Sequence, residues 1–330
     1  MGEKENKSPK ETEMRVRNLI FICFTFLIAL SAFAGEKAEI HGDAGTIGAA
    51  FLKLESGCRP GAMGGAFVGL ADDVNALFWN PAGLTSIRKS ELSAMQNFSF
   101  GGVNNVTAGY ARKLGRFTAG LSLQGVFAEI ERRSGPSEEP EERFYSGGMA
   151  VGLSGGYELM KWISVGGTVK YIYQNYDQDE VNGLAVDLGG MIRLLGGRIR
   201  AGAALQNLGW TDGELESEKK LPTSLRAGGA ISLDDGKLNL SAEANMPFYG
   251  DPSVRVGLER WIHQVLALRV GYNLGFDSAA ENPSSGLTVG VGLKAYGTQP
   301  LENVNFQFDY AYIPDRRFGD SHRISFITRF

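Results

Sequence analysis

The chain has 330 residues, of which 43% are hydrophobic and 21% charged, with a formal charge of −4; it can bury a core and carries no basic surplus of the kind that draws a protein to nucleic acid. Glycine is the outlier at 45 residues, about twice ordinary usage, and without collagen triplets or much proline it belongs in tight turns and close-packed strands. Cys23 and Cys58 are the only cysteines; with Cys23 in a segment expected to be removed, no disulfide framework or thiolate metal site can form.

Arg15 and Arg17 precede an apolar run from Leu19 to Leu30, followed by Ser31-Ala32-Phe33-Ala34. That is the pattern of a cleaved secretory leader, with a basic region, a short apolar helix and an A-x-A site. Twelve residues span about 18 Å as a helix, too short for a hydrocarbon core of about 30 Å. Residues 1–34 are therefore expected to be a signal peptide. Residues 1–13 lie upstream of Met14, an alternative start, and receive no structure.

Residues 35–88 do not alternate. Between Asp43 and Leu84 the segment is rich in small residues, with the acidic pair Asp72-Asp73 and a closing Asn80-Pro81-Ala82-Gly83. Pro81 would stop a helix, and Asn80 can hydrogen-bond locally to fix a turn into whatever follows.

From residue 89 the chain takes up a period of two. Val304, Phe306, Phe308, Tyr310 and Tyr312 alternate with Asn305, Gln307, Asp309 and Ala311, and Leu266, Leu268, Val270, Tyr272 and Leu274 alternate with Ala267, Arg269, Gly271 and Asn273. Successive strand side chains point to opposite faces, so each segment has one apolar face and one small or polar face. Fourteen strands are predicted, near 89–100, 103–113, 116–131, 143–159, 162–176, 181–194, 198–209, 221–233, 237–248, 252–261, 265–275, 286–297, 302–313 and 321–330. The expected fold is all-β: a fourteen-stranded antiparallel transmembrane barrel over 89–330, the even count suiting a closed single-chain bacterial barrel.

Connections from the second strand onward alternate short with long, except for one near residues 297–301 that is longer than its neighbours; the first connection is short where a long loop is expected. The short ones include Leu114-Gly115, Gly196-Gly197 and Asp234-Asp235-Gly236; the long ones, at 134–142, 211–220 and 276–285, are mostly acidic or proline-bearing. Short periplasmic turns and longer outer loops give this parity. Trp162 and Trp261 are placed at the short-turn ends of strands, and Tyr176 and Trp210 near the loop ends, as aromatic girdles. The chain closes on Ile324, Phe326, Thr328 and Phe330 in alternation, and Phe326 and Phe330 are read as a signal for the barrel insertion machinery.

Charges of both signs fall at inward parity: Lys170, Asp187, Arg193, Arg200, Arg226, Glu243, Arg255, Glu259, Arg269, Asp309, Arg323 and Arg329. Such a ladder is able to line a polar passage, but buried charges need partners, so these are expected to brace wall and interior by pairing. Catalytic signals are weak. Gly152-Leu153-Ser154-Gly155-Gly156 matches a nucleophile-elbow string, but it lies within a predicted strand instead of at a strand-to-helix turn. The three histidines are His41, His263 and His322; His263 falls in a short turn and His322 at a strand start, and neither has an evident serine partner. No His, Cys and carboxylate grouping has metal-ligand spacing. No enzyme activity and no cofactor are expected.

The stretches Phe51-Leu52-Lys53-Leu54, Gly61 to Phe67, Ala71-Asp72-Asp73 and Trp79 to Leu84 resemble, in order and spacing, the PorV/PorQ group of outer-membrane proteins within the wider FadL superfamily. The resemblance implies that residues 35–88 form a hatch inside the barrel, with Gly64, Gly65, Asp72, Asp73, Asn80, Pro81, Ala82 and Gly83 as its motif. It also implies an accessory role in protein secretion or surface attachment, with secretion components or exported proteins as partners. The alternative is FadL-like passive transport of a hydrophobic small molecule. The short, acidic outer loops lack an apolar capture surface and place the accessory role first. Both readings put the chain in the outer membrane, against its lipid.

Overall fold

The computed structural model describes residues 48–99, 103–132, 142–176, 179–213, 219–275, 286–298, 302–314 and 320–330. The expected leader, residues 35–47 and most of the three long loops lie outside these residues.

Fourteen antiparallel strands close into one barrel in sequence order. They are β1 (Ser90–Phe98), β2 (Asn104–Leu114), β3 (Phe117–Arg132), β4 (Glu142–Met160), β5 (Ile163–Tyr176), β6 (Asp179–Leu194), β7 (Ile199–Thr211), β8 (Ser224–Leu233), β9 (Leu238–Pro247), β10 (Ser253–Ile262), β11 (Leu266–Gly275), β12 (Leu287–Tyr296), β13 (Asn305–Ile313) and β14 (Ser321–Arg329). Closure is made by β1 on β14, with Glu91 opposite Arg329 and Ala94 opposite Phe326, and Ser90 and Phe330 exchange both backbone bonds. Every strand therefore has two neighbours and no edge is left unpaired, which is what a hydrocarbon solvent demands of backbone N–H and C=O groups. β3 to β6 run 14 to 19 residues, whereas β8 to β14 run 9 or 10; nine residues already rise about 30 Å along a strand.

At one end the connections are tight because their residues tolerate left-handed backbone. Gly115, the Leu195-Gly196-Gly197 turn, the Asp234-Asp235-Gly236 turn and His263-Gln264 all have positive φ, conformations open to glycine at no steric cost and to aspartate at little. This short-turn end is distinct from the loop end, to which the long connections belong.

The two faces of the wall differ as the alternation predicts. Leu121, Leu153, Val169, Leu188, Leu268, Val291, Leu293, Phe308 and Ile324 are among many large apolar side chains exposed on the outside. A water-soluble monomer rarely exposes an apolar area beyond a few hundred Å², and a continuous belt of it suits lipid. The inside carries Ser93, Thr107, Thr118, Ser122, Ser154, Thr168 and Ser241, all buried. Trp162 is exposed and Trp210 is 58% exposed, both outside; Trp261 corrects its placement in the girdle, since it is only 7% exposed. It shares the parity of Arg255 and Glu259 on β10, and so turns into the lumen.

Residues 48–88 fill the space the wall encloses. A 3-10 turn (Ala50–Lys53), helix α1 (Cys58–Ala62), helix α2 (Ala76–Trp79) and a second 3-10 turn (Pro81–Ser86) are joined by tight turns. Met63, Phe67, Leu70, Val74, Leu77, Trp79, Leu84 and Ile87 form their common apolar core. The segment has little regular structure of its own, and the wall supplies the partners its backbone lacks.

Candidate functional site

The candidate site is the lumen with its inner segment. The sharp turn at Met63-Gly64-Gly65 lies against β11 and β12. Gly64 has φ +67°, and a Cβ placed there would stand 2.7 Å from the backbone nitrogen of Tyr272, so only glycine fits. The Gly64 N–H donates to Thr288 Oγ1 at 3.0 Å, and that hydroxyl donates to the Ala62 carbonyl. Gly65, also at positive φ, lies beside Arg255 and Glu55. Farther round the wall, Glu243 accepts from the N–H groups of Phe67 and Val68 at 2.9 and 2.8 Å. Glu243 also pairs with Arg226 at 3.3 Å and faces Arg255, whose guanidinium pairs with Glu55 at 2.6 Å.

Asn80 joins three parts of the molecule. Its Nδ2 donates to the carbonyls of Val68 and Gly190, and its Oδ1 accepts from the Ala82 N–H, capping the Pro81–Ser86 turn. Pro81 at the first position of that turn has no N–H to leave unpaired. The Pro81-Ala82 backbone seats against Gly166, and Gly83 against the Ala71 carbonyl.

The densest constellation lies toward the short-turn end and centres on Arg59. Its guanidinium donates through Nε and Nη2 to both oxygens of Glu259, at 2.8 and 2.9 Å, and through Nη1 to Asp72 and Asp73. Asp72 takes a second guanidinium from Arg200 at 2.8 Å. Glu259 accepts again from Arg269 at 2.8 Å, and Arg269 continues to Asp309 at 2.7 Å. Glu91 accepts from the Val74 N–H at 2.9 Å and from Arg329 at 3.1 Å. Burial alone would raise the Asp72 carboxyl, but the adjoining Arg59 and Arg200 guanidiniums outweigh it and hold it at about 2. Burial likewise opposes ionisation of Glu55, yet the neighbouring Arg255, Arg323 and Arg226 keep its carboxyl below the usual range. Bidentate and multiply donated carboxylates of this kind are the strong ones.

The remaining charges are placed as follows. Lys170 pairs with Asp187 at 2.7 Å and donates to Asn207. Arg193 donates to Ser164, Thr85 and Ser86, tying β6 to the end of the inner segment. Arg323 is buried beside Gly61, with its Nε and Nη1 lacking a hydrogen-bond partner. At the end of β14, Phe326 packs on Phe306 and Phe308, and Phe330 stacks on Tyr110 across the closing seam. Arg59, Glu55 and Glu91 were not singled out from the sequence, although a lone arginine in a run of small residues is a visible signal for Arg59.

The two ends of the lumen differ in chemistry. Toward the loop end, Phe51 and Leu52 of the inner segment meet Ile172, Ala150, Ala185, Leu221 and Val126 in a second apolar cluster. Toward the short-turn end lies a polar cavity of about 530 Å³, bordered by the Arg59 constellation and by Trp261 and Lys294. Ser154 of the nucleophile-like string is buried in β4 and shares a 2.8 Å hydrogen bond with Thr168, while His322 is engaged by Tyr310. Among the described residues, no group of three His, Cys, Asp or Glu side chains could hold a metal ion.

Residues 26–185 match the family model of an uncharacterised protein family, UPF0164. No curated protein matches the sequence. Among solved structures, the chain is similar to the CymD monoaromatic hydrocarbon channel, at 12% identity and a TM-score of 0.60 over 83% of this chain and 97% of that one. It is also similar to the Ralstonia pickettii toluene transporter TbuX, at 13% identity and 0.59 over 84% and 99%, and to the Pseudomonas putida toluene transporter TodX, at 14% and 0.58 over 83% and 97%. The fold is that of FadL-type outer-membrane barrels. The PorV/PorQ resemblance and its secretion partners gain no support from these likenesses.

Proposed function

We propose that this chain is an outer-membrane channel for small apolar molecules, with residues 48–88 as its internal gate. The observation that carries the reading is the inward-facing apolar cluster of Phe51, Leu52, Val126, Ile172 and Leu221 near the loop end, in a barrel whose fold is shared with hydrocarbon channels. Apolar side chains on the inner wall of a membrane barrel have no lipid to face, and a small apolar ligand gains roughly 25 cal/mol per Å² by leaving water for such a surface. In this structure the cluster is closed, its wall residues buried against Phe51, and in this reading it takes a ligand when the inner segment shifts. In this reading the loop end faces outward and the short turns lie in the periplasm. Residues 1–34 direct export, and Phe326 and Phe330 mark the chain for insertion.

The inner segment blocks straight passage, so transport requires it to shift or to leave a side path. Its apolar core and its charged contacts with the wall support reading it as a gate.

The test is uptake of a radiolabelled monoaromatic hydrocarbon by cells whose lipopolysaccharide layer is otherwise a barrier, with and without the chain. Several-fold faster uptake is expected, returning toward background in Phe51→Arg and Ile172→Arg variants that still assemble. Equal uptake with and without the chain would remove the proposal.

A further inference from the structure

The polar cavity at the short-turn end is not accounted for by the passage of apolar molecules. Its lining holds six basic side chains against four acidic ones. Three of the acids are committed: Asp72 to Arg59 and Arg200, Asp73 to Arg59, and Glu259 to Arg59 and Arg269; the fourth, Asp235, is exposed to solvent at the rim, 3.9 Å from Arg198. Three of the cations are not committed. Arg88 just before β1, Lys237 just before β9 and Lys294 on β12 border the cavity, and among the described residues none makes a hydrogen bond or ion pair through its side chain. Lys294 is held by an aromatic face instead, its Nζ lying 3.7 Å from the Trp261 ring centroid, while Arg269 covers the same ring at 5.6 Å. A cation–π contact orients an ammonium and leaves its protons free to donate.

Spare cations at a concave, half-enclosed surface raise the local concentration of anions. At about 530 Å³ the cavity lies in the range of small-molecule sites. Tyr296 and Trp261 also border it, offering apolar contact that a carbon skeleton can use and a bare inorganic anion cannot. We infer that this cavity binds a small organic carboxylate, with Lys294, Lys237 and Arg88 receiving the carboxylate group. The site lies on the far side of the inner segment from the apolar cluster, and it stands or falls without reference to transport.

The test is equilibrium binding of benzoate to the purified full-length chain in detergent at low ionic strength, beside benzyl alcohol and inorganic phosphate. Saturable benzoate binding is expected, at least tenfold tighter than either comparison and weakening as salt rises. Lys294→Gln with Lys237→Gln should weaken it at least tenfold, whereas Lys294→Arg should retain most of it. All variants would be checked for the folded barrel by heat-modifiable migration. Absence of benzoate binding, binding of benzyl alcohol or phosphate as tight as benzoate, or full binding in the folded double variant would overturn the assignment. Because no transport is measured, failure here leaves the channel reading untouched, and failure of the uptake test leaves this site untouched.

Discussion

Asp72 is the residue on which the charged constellation turns, since it links Arg59 of the inner segment to Arg200 of the wall. Its carboxyl is held at about 2, below its ordinary 3.8. A carboxyl depressed by folding contributes stability that is fully present above its unfolded value and lost as pH falls through the folded one. Asp72→Asn should therefore lower resistance to urea at pH 6 by about 2 kcal/mol, the size of such a shift. The gap to the parent should close between about pH 4 and pH 2; a gap that stays constant to pH 2 would show that the charge is not the source. Gly64 is constrained by backbone alone. Gly64→Ala forces a side chain into left-handed φ at about 1–2 kcal/mol and against the Tyr272 backbone. The expected outcome is a folded barrel whose inner segment is cleaved faster by added protease, and cleavage at the parental rate would argue against the close approach.

At the scale of elements, the seam between β1 and β14 decides whether the barrel closes. Ser90 and Phe330 exchange backbone bonds there, and the Phe330 ring stacks on Tyr110 of β2. Removing Phe330 deletes the last pair of the ladder and the outermost aromatic of the strand. A several-fold loss of heat-modifiable barrel in the outer membrane is expected, without loss of total chain; unchanged assembly would deny Phe330 a part in insertion. β6 and β7 pair irregularly, with the register shifting between Val186 and Leu188 and Asn207 taking positive φ. The Asp187 carboxylate accepts from the Asn207 N–H at 2.8 Å and pairs with Lys170, so the bulge is fixed by charge at the point where ladder bonds are missing.

For the molecule as a whole, the inner segment is held by contacts around the entire circuit. Gln124 on β3, Gln174 on β5, Gln206 on β7, Glu243 on β9, Glu259 on β10 and Thr288 on β12 each bond to it. Closure of the wall is a separate matter, resting on ladders between neighbouring strands. Deleting residues 35–84 should leave an assembled barrel with raised conductance in planar bilayers. A deletion that assembles yet conducts no better than the parent would mean that this segment is not what blocks the lumen.

Strand number, strand ends to within a few residues, and the inward or outward sense of most wall side chains follow from the period-two alternation, because lipid outside and a polar interior act on every residue of a strand in turn. Lys170, Asp187, Glu243, Glu259, Arg269 and Asp309 could be placed inside by parity alone. Their partners could not. Arg59 meets Glu259 across 200 positions of sequence, and no local pattern carries a pairing set by how far the inner segment reaches across the lumen. Trp261 shows the same division: its strand position suggested a girdle, its parity turns it inward, and only the tertiary structure puts Lys294 on its face. The division of the lumen into an apolar loop end and a cationic short-turn end was likewise decided by the fold, since Phe51, Ile172 and Leu221 become neighbours only when the barrel closes around the segment that carries Phe51.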